Sequence, residues 1–175
     1  MKKDIQNIFG NTIARSMEGL ADVFKNANMT PEEIAESIKE FHETTRTGIY
    51  FSALSNGDKE TADKIEKAND ILKERRISEF KKAVANGTEK AFLSTMRWTD
   101  KSSLKIDMEL SRIEMASKKP LTSEEQMYLD IIEKSITEDL TKEALSHGFS
   151  SVNEWKEHNA KAFSSMSSYV GGKKR

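Results

Sequence analysis

Apolar residues recur every three or four positions along this chain, and the gaps between the runs carry capping and turn residues. Ile13, Met17, Leu20, Ala21 and Phe24 predict a first helix over about Asn11–Asn26. Ile34, Ile38 and Phe41 share a face of a second helix. It opens at Thr30-Pro31-Glu32-Glu33, with Thr at the N-cap, Pro in the first helical position and Glu in the third. Residues 42–45 break the period with two adjacent threonines that can cap. A short third helix, about Arg46–Ser55, carries Ile49, Tyr50, Phe51 and Leu54 and stops at Ser55-Asn56-Gly57.

A long fourth helix is expected from about Asp58 to Ala85, its buried face marked by Ile65, Ala68, Leu72, Ile77, Phe80 and Val84. Asn86-Gly87 ends it, and Thr88 caps a fifth helix that runs to about Trp98. Thr99–Ser103 reads as a loop or cap. The sixth helix has two apolar faces, Leu104, Met108, Ser111 and Met115 on one and Ile106, Leu110 and Ile113 on the other, a pattern that suits burial between neighbours. Ser117–Pro120 is a candidate hinge. Thr122-Ser123-Glu124-Glu125 opens a seventh helix to about Ser146, which closes on His147-Gly148-Phe149 as a glycine cap. Ser151-Val152-Asn153-Glu154 is a further capping box and starts a last helix with Trp155 and Phe163. The serine-rich stretch after Phe163 is expected to be a flexible basic tail.

No alternating β pattern of useful length and no internal repeat appears, so the expected fold class is all-α, a bundle of about eight helices. Its expected organisation is a three-helix unit over residues 1–57, a central helical and oligomerisation region over 58–117, a C-terminal helical hairpin over 121–163 and a tail over 164–175.

Composition changes this picture in small ways. Hydrophobic residues make up 36% of the 175-residue chain and charged residues 33%, a thin core for the length, which favours elongated helices or self-association. The net charge of −1 is spread unevenly: residues 1–57 carry −2, residues 58–105 carry +3 and residues 106–175 carry −2. A nucleic-acid-binding chain usually shows a larger basic excess, so DNA binding here would need an oligomer that adds weak patches. No run approaches the roughly 20 apolar residues of a membrane span, and no signal peptide is legible; the expected location is the cytoplasm, the host cytoplasm if the chain is viral.

Catalytic chemistry finds few residues to use. The sequence has no cysteine, which removes thiolate metal sites, disulfides and cysteine nucleophiles. Of the three histidines, His158 has Glu154 four residues before it, two ligands where a metal site needs three or four. His147 is explained by its place at a helix C-terminus. No phosphate-binding glycine loop and no Gly-x-Ser-x-Gly occurs. The expectation is a protein without catalytic activity and without a cofactor.

The second and third helices, separated by a four-residue break, have the spacing of a helix–turn–helix. In such a unit the N-terminal residues of the last helix reach base edges, which points to Thr45, Arg46, Thr47 and Tyr50. Five acidic residues between Glu32 and Glu43 oppose phosphate, and a plain three-helix bundle fits the same spacing.

The stretch Asp58–Ala68, followed by Arg75-Arg76 and by Ala83-Val84-Ala85-Asn86-Gly87-Thr88 with Phe92 and Trp98, resembles phage small terminase subunits over about residues 30–100. That resemblance implies a ring-forming homo-oligomer without enzymatic activity. Such an oligomer recognises the packaging start on double-stranded viral DNA and hands it to a large ATPase–nuclease subunit. It also implies DNA-facing roles for Thr45, Arg46, Thr47 and Tyr50, and backbone contacts or inter-subunit pairs for Arg75, Arg76, Lys81 and Lys82. The hairpin over 121–163 has no counterpart in the family pattern. The alternative class is a small helical interaction protein, such as a phage-encoded inhibitor of a host enzyme or of a nucleic-acid-guided defence complex, or an assembly chaperone.

Overall fold

The computed structural model describes the backbone of residues 2–114 and 120–171, and the side chains of residues 11–110 and 120–162. Among the described residues it holds eight α-helices and no strand: α1 (Lys2–Asn26), α2 (Pro31–Ile38), α3 (Glu43–Ser55), α4 (Lys59–Ala85), α5 (Glu89–Ser94), α6 (Trp98–Glu114), α7 (Ser123–Ser146) and α8 (Val152–Gly171). The chain forms two compact units, Met1–Glu79 and Phe80–Arg175, whose boundary falls inside α4. The sequence divided the chain at Gly57; the first unit instead takes in α4 as far as Glu79, because Ala62, Ile65, Ala68 and Leu72 belong to its core.

In the first unit Ile34, Ala35, Ile38, Ile49 and Ile65 are fully buried, joined by Ala21, Phe24 and Ala53. Each isoleucine removed from water contributes about 1.5–3 kcal/mol. Gly48, in the middle of α3, faces Met17 of α1. A Cβ at position 48 would overlap the Met17 sulfur, so a side chain there would require the flexible end of Met17 to move aside. Lys25 pairs with Asp58 at 3.2 Å and Lys64 donates to Asn28 at 3.2 Å, tying the C-terminal end of α1 to the start of α4.

The capping signals work as the sequence suggests at three places. Glu33 N–H donates to Thr30 Oγ1 at 3.3 Å while Glu33 Oε2 accepts from Thr30 N–H at 2.8 Å. Thr122 and Glu125 repeat the exchange at 3.1 and 2.8 Å. At the end of α7, Gly148 takes φ +82°, Gly148 N–H donates to Leu145 O and Phe149 N–H to Ala144 O, both at 3.0 Å. This is the Schellman arrangement, which needs a left-handed residue and so suits glycine.

Several boundaries differ from expectation. α1 starts at Lys2, since Ile5, Ile8 and Phe9 extend its apolar period upstream of Asn11. α2 ends at Ile38, not Phe41, and α3 begins at Glu43, because His42 rather than a threonine is its cap: the ring Nδ1 accepts from Thr44 N–H at 3.2 Å. Thr88 makes no side-chain cap to α5; its hydroxyl donates back to Ala83 O at 3.3 Å. Residues 99–103 are helical, and α6 opens at Trp98. α8 continues to Gly171, since the stretch after Phe163 contains no proline or glycine until Gly171-Gly172 and keeps Phe163, Met166 and Val170 at helical spacing. The hinge at Ser117–Pro120 lies outside the described residues except for Pro120, as do the last basic residues Lys173-Lys174-Arg175.

The second unit is built on α6 and α7. Lys101 of α6 reaches Asp139 of α7 and Lys105 reaches Glu133, so the two helices run antiparallel. Leu104, Leu129, Ile132, Ile136 and Ala144 fill its core together with Phe80, Ala83 and Leu93. Phe80 stands 6.0 Å from both Phe92 and Tyr128, with the Tyr128 ring edge-on.

Candidate functional site

Thr45, Arg46, Thr47 and Tyr50 do not share one face. At 3.6 residues per turn, the exposed stripe of α3 is Thr44, Thr47, Phe51 and Ser55. Thr45 and Tyr50 are half-buried. The Arg46 side chain is 15% exposed: its Nη2 donates to Lys39 O at 2.9 Å, satisfying a carbonyl at the end of α2, and Nη1 lies 3.7 Å from Glu43. This arginine holds the α2–α3 connection together. Phe51 is 57% exposed, with Tyr50 packed edge-on to it at 5.2 Å.

Of the basic residues of α4, the four expected to face DNA or a neighbouring subunit, Arg75, Arg76, Lys81 and Lys82, differ in their circumstances. Arg75 donates to Glu36 Oε1 at 2.7 Å, and that contact, with Lys39 at 3.1 Å, holds the Glu36 carboxyl below the usual range. Arg76 is half-buried. Lys81 sits 5.7 Å above the Tyr128 ring, a cation–π placement, and is exposed, as is Lys82. The Tyr128 hydroxyl donates to Glu124 at 2.6 Å, and the carboxylate acceptor pushes the phenol pKa up. Arg75 and Arg76 belong to the first unit and Lys81 and Lys82 to the second. Around α3 the charge is acidic: Glu32 and Glu40 are exposed and make no ion pair among the described residues.

A second surface feature lies where α6, α7 and α8 meet. An open groove of about 730 Å³ has Trp98 and Ile106 from α6, Ile136 and Leu140 from α7 and Trp155 from α8 on its walls. The two tryptophans of the sequence thus line one groove. Trp155 is held by the turn before it. The His147 ring stacks on it at 5.8 Å with an interplanar angle of 13°, while Glu154 accepts from Ser150 N–H at 2.9 Å and its own N–H donates to Ser151 Oγ at 3.2 Å. Those Ser150 hydrogen bonds keep the Glu154 carboxyl below its ordinary pKa. Along the rim, Lys105 Nζ meets Glu133 at 2.7 Å, and the carboxylate raises the lysine pKa.

Sequence reasoning missed this groove. Trp98 and Trp155 are far apart in the chain, and the available signal was the second apolar face of α6. Among the described residues, no group of three or more His, Asp or Glu side chains is placed to hold a metal ion, and no helix is long and apolar enough to cross a membrane. No protein-family model, curated protein or solved structure matches the chain.

Proposed function

We propose that this chain is a small, non-catalytic helical interaction protein that acts by covering a surface on a protein partner, as an inhibitor of a host enzyme or nucleic-acid-guided complex does, or as an assembly chaperone does. The outward stripe of α3 supports the reading. It presents an exposed phenylalanine between a threonine and a serine and carries no charge, while Arg46 is turned into the α2–α3 connection. An exposed aromatic with a polar surround is the usual make-up of an interface anchor. Phosphate binding draws its free energy from exposed cations. With Glu32 and Glu40 exposed on α2 and in the turn after it, the partner surface that fits is apolar at its centre and basic around it.

The helix–turn–helix-like connection of residues 39–42 supports a second reading. In it, the chain is the DNA-recognition subunit of a viral packaging machine, a homo-oligomer that binds double-stranded DNA and delivers it to a large ATPase–nuclease. Fluorescence anisotropy with a labelled duplex over a salt series separates the two. The interaction reading expects no binding at low salt, and expects Phe51→Asp to keep wild-type helicity while abolishing capture of the partner from host extract. Duplex binding whose log–log salt slope is about −0.9 per phosphate contact, with Phe51→Asp unchanged, would select the DNA reading.

A further inference from the structure

Backbone N–H groups only donate, and that fixes the state of one ring in this structure. The Thr44 N–H meets His42 Nδ1 at 3.2 Å, so Nδ1 offers its lone pair and the proton of the neutral imidazole sits on Nε2. His42 is the N-cap of α3: its backbone is extended, at φ −62° and ψ 150°, and its carbonyl accepts from Thr45 and Arg46 N–H at 2.9 and 3.1 Å. The preferred cap residues offer an oxygen that goes on accepting throughout the neutral range, as Thr30 and Thr122 do for α2 and α7. In α3 the acceptor is a nitrogen that takes up a proton as acidity rises.

Protonation acts against this cap twice. It turns Nδ1 from an acceptor into a donor, which leaves the Thr44 N–H without that partner. It also places a full positive charge at the positive end of the α3 dipole. The Thr44 hydroxyl, 3.1 Å from Nδ1, accepts from the protonated ring but does nothing for the backbone N–H. The charges around the ring do not restore the cap. Lys39, before it, is held by Glu36, and Arg46, after it, lies 3.7 Å from Glu43. A carboxylate on the ring, from Glu40 or Glu43, sides with the charged form and so with release. On α1, which meets α3 at Met17 and Gly48, the described charged side chains Arg15, Glu18, Asp22 and Lys25 are exposed. From α4, Arg75 is held by Glu36 and Arg76 is half-buried.

We propose that His42 is an acid-triggered release for α3. Neutral, it caps the helix; protonated, it frees the first turn, residues 43–47, and with it the grip of Arg46 on Lys39 O. The cap is present at neutral pH and lost as pH falls. That turn carries Thr44 and Thr47 of the outward stripe, so the release regulates the face on which the proposed function rests. The release is read on the free chain, whereas the Phe51→Asp capture experiment reads the binding face, so the two ideas fail separately.

Hydrogen exchange on the whole chain tests it, with protection corrected for the intrinsic pH dependence of exchange. The span is about pH 8 to about pH 5.5, where histidines change charge and ordinary carboxylates stay ionised. Long-range proton–nitrogen spectra of the His42 ring are expected to show Nδ1 unprotonated at the upper end. Protection at Thr44 and Thr45 is expected to fall about fivefold toward the lower end, within what the loss of one cap gives. His42→Asn, whose side-chain oxygen caps without titrating, should hold protection level across the span. His42→Ala should show the acid level throughout. Equal protection of the wild type at both ends, the same fall in His42→Asn, or a proton on Nδ1 at the upper end would overturn the proposal. The ring spectrum and the wild-type exchange need no variant, so the test stands if a substitution misfolds.

Discussion

Ile34, Ile38, Ile49 and Ile65 fill the centre of the first unit, and the ion pairs around them, Lys25 with Asp58 and Arg75 with Glu36, lie nearer the surface. In the second unit the side chain of Lys101 is 2% exposed, as deep as those isoleucines, and is held by Asp139, itself 29% exposed. The two units therefore set helix positions by different means. Aliphatic packing is non-directional, so the first unit sets its helix positions by the shape of its packed side chains. A buried ammonium is tolerated only while its carboxylate is in reach, so in the second unit the register of α6 on α7 is coupled to one charge pair.

Substitutions sharpen that contrast. Ile38→Ala in the first unit is expected to cost about 3–4 kcal/mol, transfer plus cavity, read by urea denaturation and by faster amide exchange in α1–α3. Asp139→Ala in the second is expected to cost about 3 kcal/mol, because it leaves Lys101 buried without its carboxylate. Lys101→Met, which removes the charge and keeps the length, is expected to stay within about 1 kcal/mol of wild type. Equal losses for Asp139→Ala and Lys101→Met would mean that the methylene stem, not the charge, is what α7 holds.

The caps give a smaller and matched pair. Thr30→Ala and Thr122→Ala each remove one reciprocal capping box and are expected to cost about 1 kcal/mol apiece, measured as a drop in urea midpoint without a change in slope. A twofold difference between them would show that the cap matters more to one unit's helix than to the other's.

Acid is the mildest probe. Glu36 and Asp58 in the first unit and Glu154 in the second have pKa values below their ordinary ones, Glu36 chiefly through the Arg75 hydrogen bond, Asp58 through Thr61 and Glu154 through Ser150. Their stabilising contribution is present above the unfolded carboxylate range and is lost as pH falls through the lower folded values. Thermal melts from about pH 6 downward, through the carboxylate range, should fall in midpoint. Glu154→Gln should flatten part of that fall; an unchanged profile would remove Glu154 from the account.

Much of the fold is legible because its signals are local. Thr30, Thr122 and Gly148 satisfy backbone groups within a few residues of themselves, and the apolar period of α4 and α7 needs no partner to be seen. The misread places depend on distant or unusual partners. His42 caps α3 with a ring nitrogen, where the preferred cap residues offer a side-chain oxygen. Lys101 sits in a stretch that reads as polar loop, and Asp139, which makes its burial possible, is 38 residues away. Arg46 has the chemistry of a nucleic-acid contact and is claimed instead by a carbonyl at the end of the preceding helix. The groove depends on α6, α7 and α8 meeting, for which the sequence offers the double apolar face of one helix and little more.

The meeting of Trp98 and Trp155 also decides what light can report about this molecule. Both indoles belong to the second unit, and the described part of the first unit offers only the weak phenol of Tyr50 as a near-ultraviolet emitter. An unfolding curve followed by emission excited at the red edge of the indole band is therefore a record of α6, α7 and α8, while the far-ultraviolet dichroism of the same sample counts every helix. Two optical traces from one cuvette then separate the melting of the two units with no label attached.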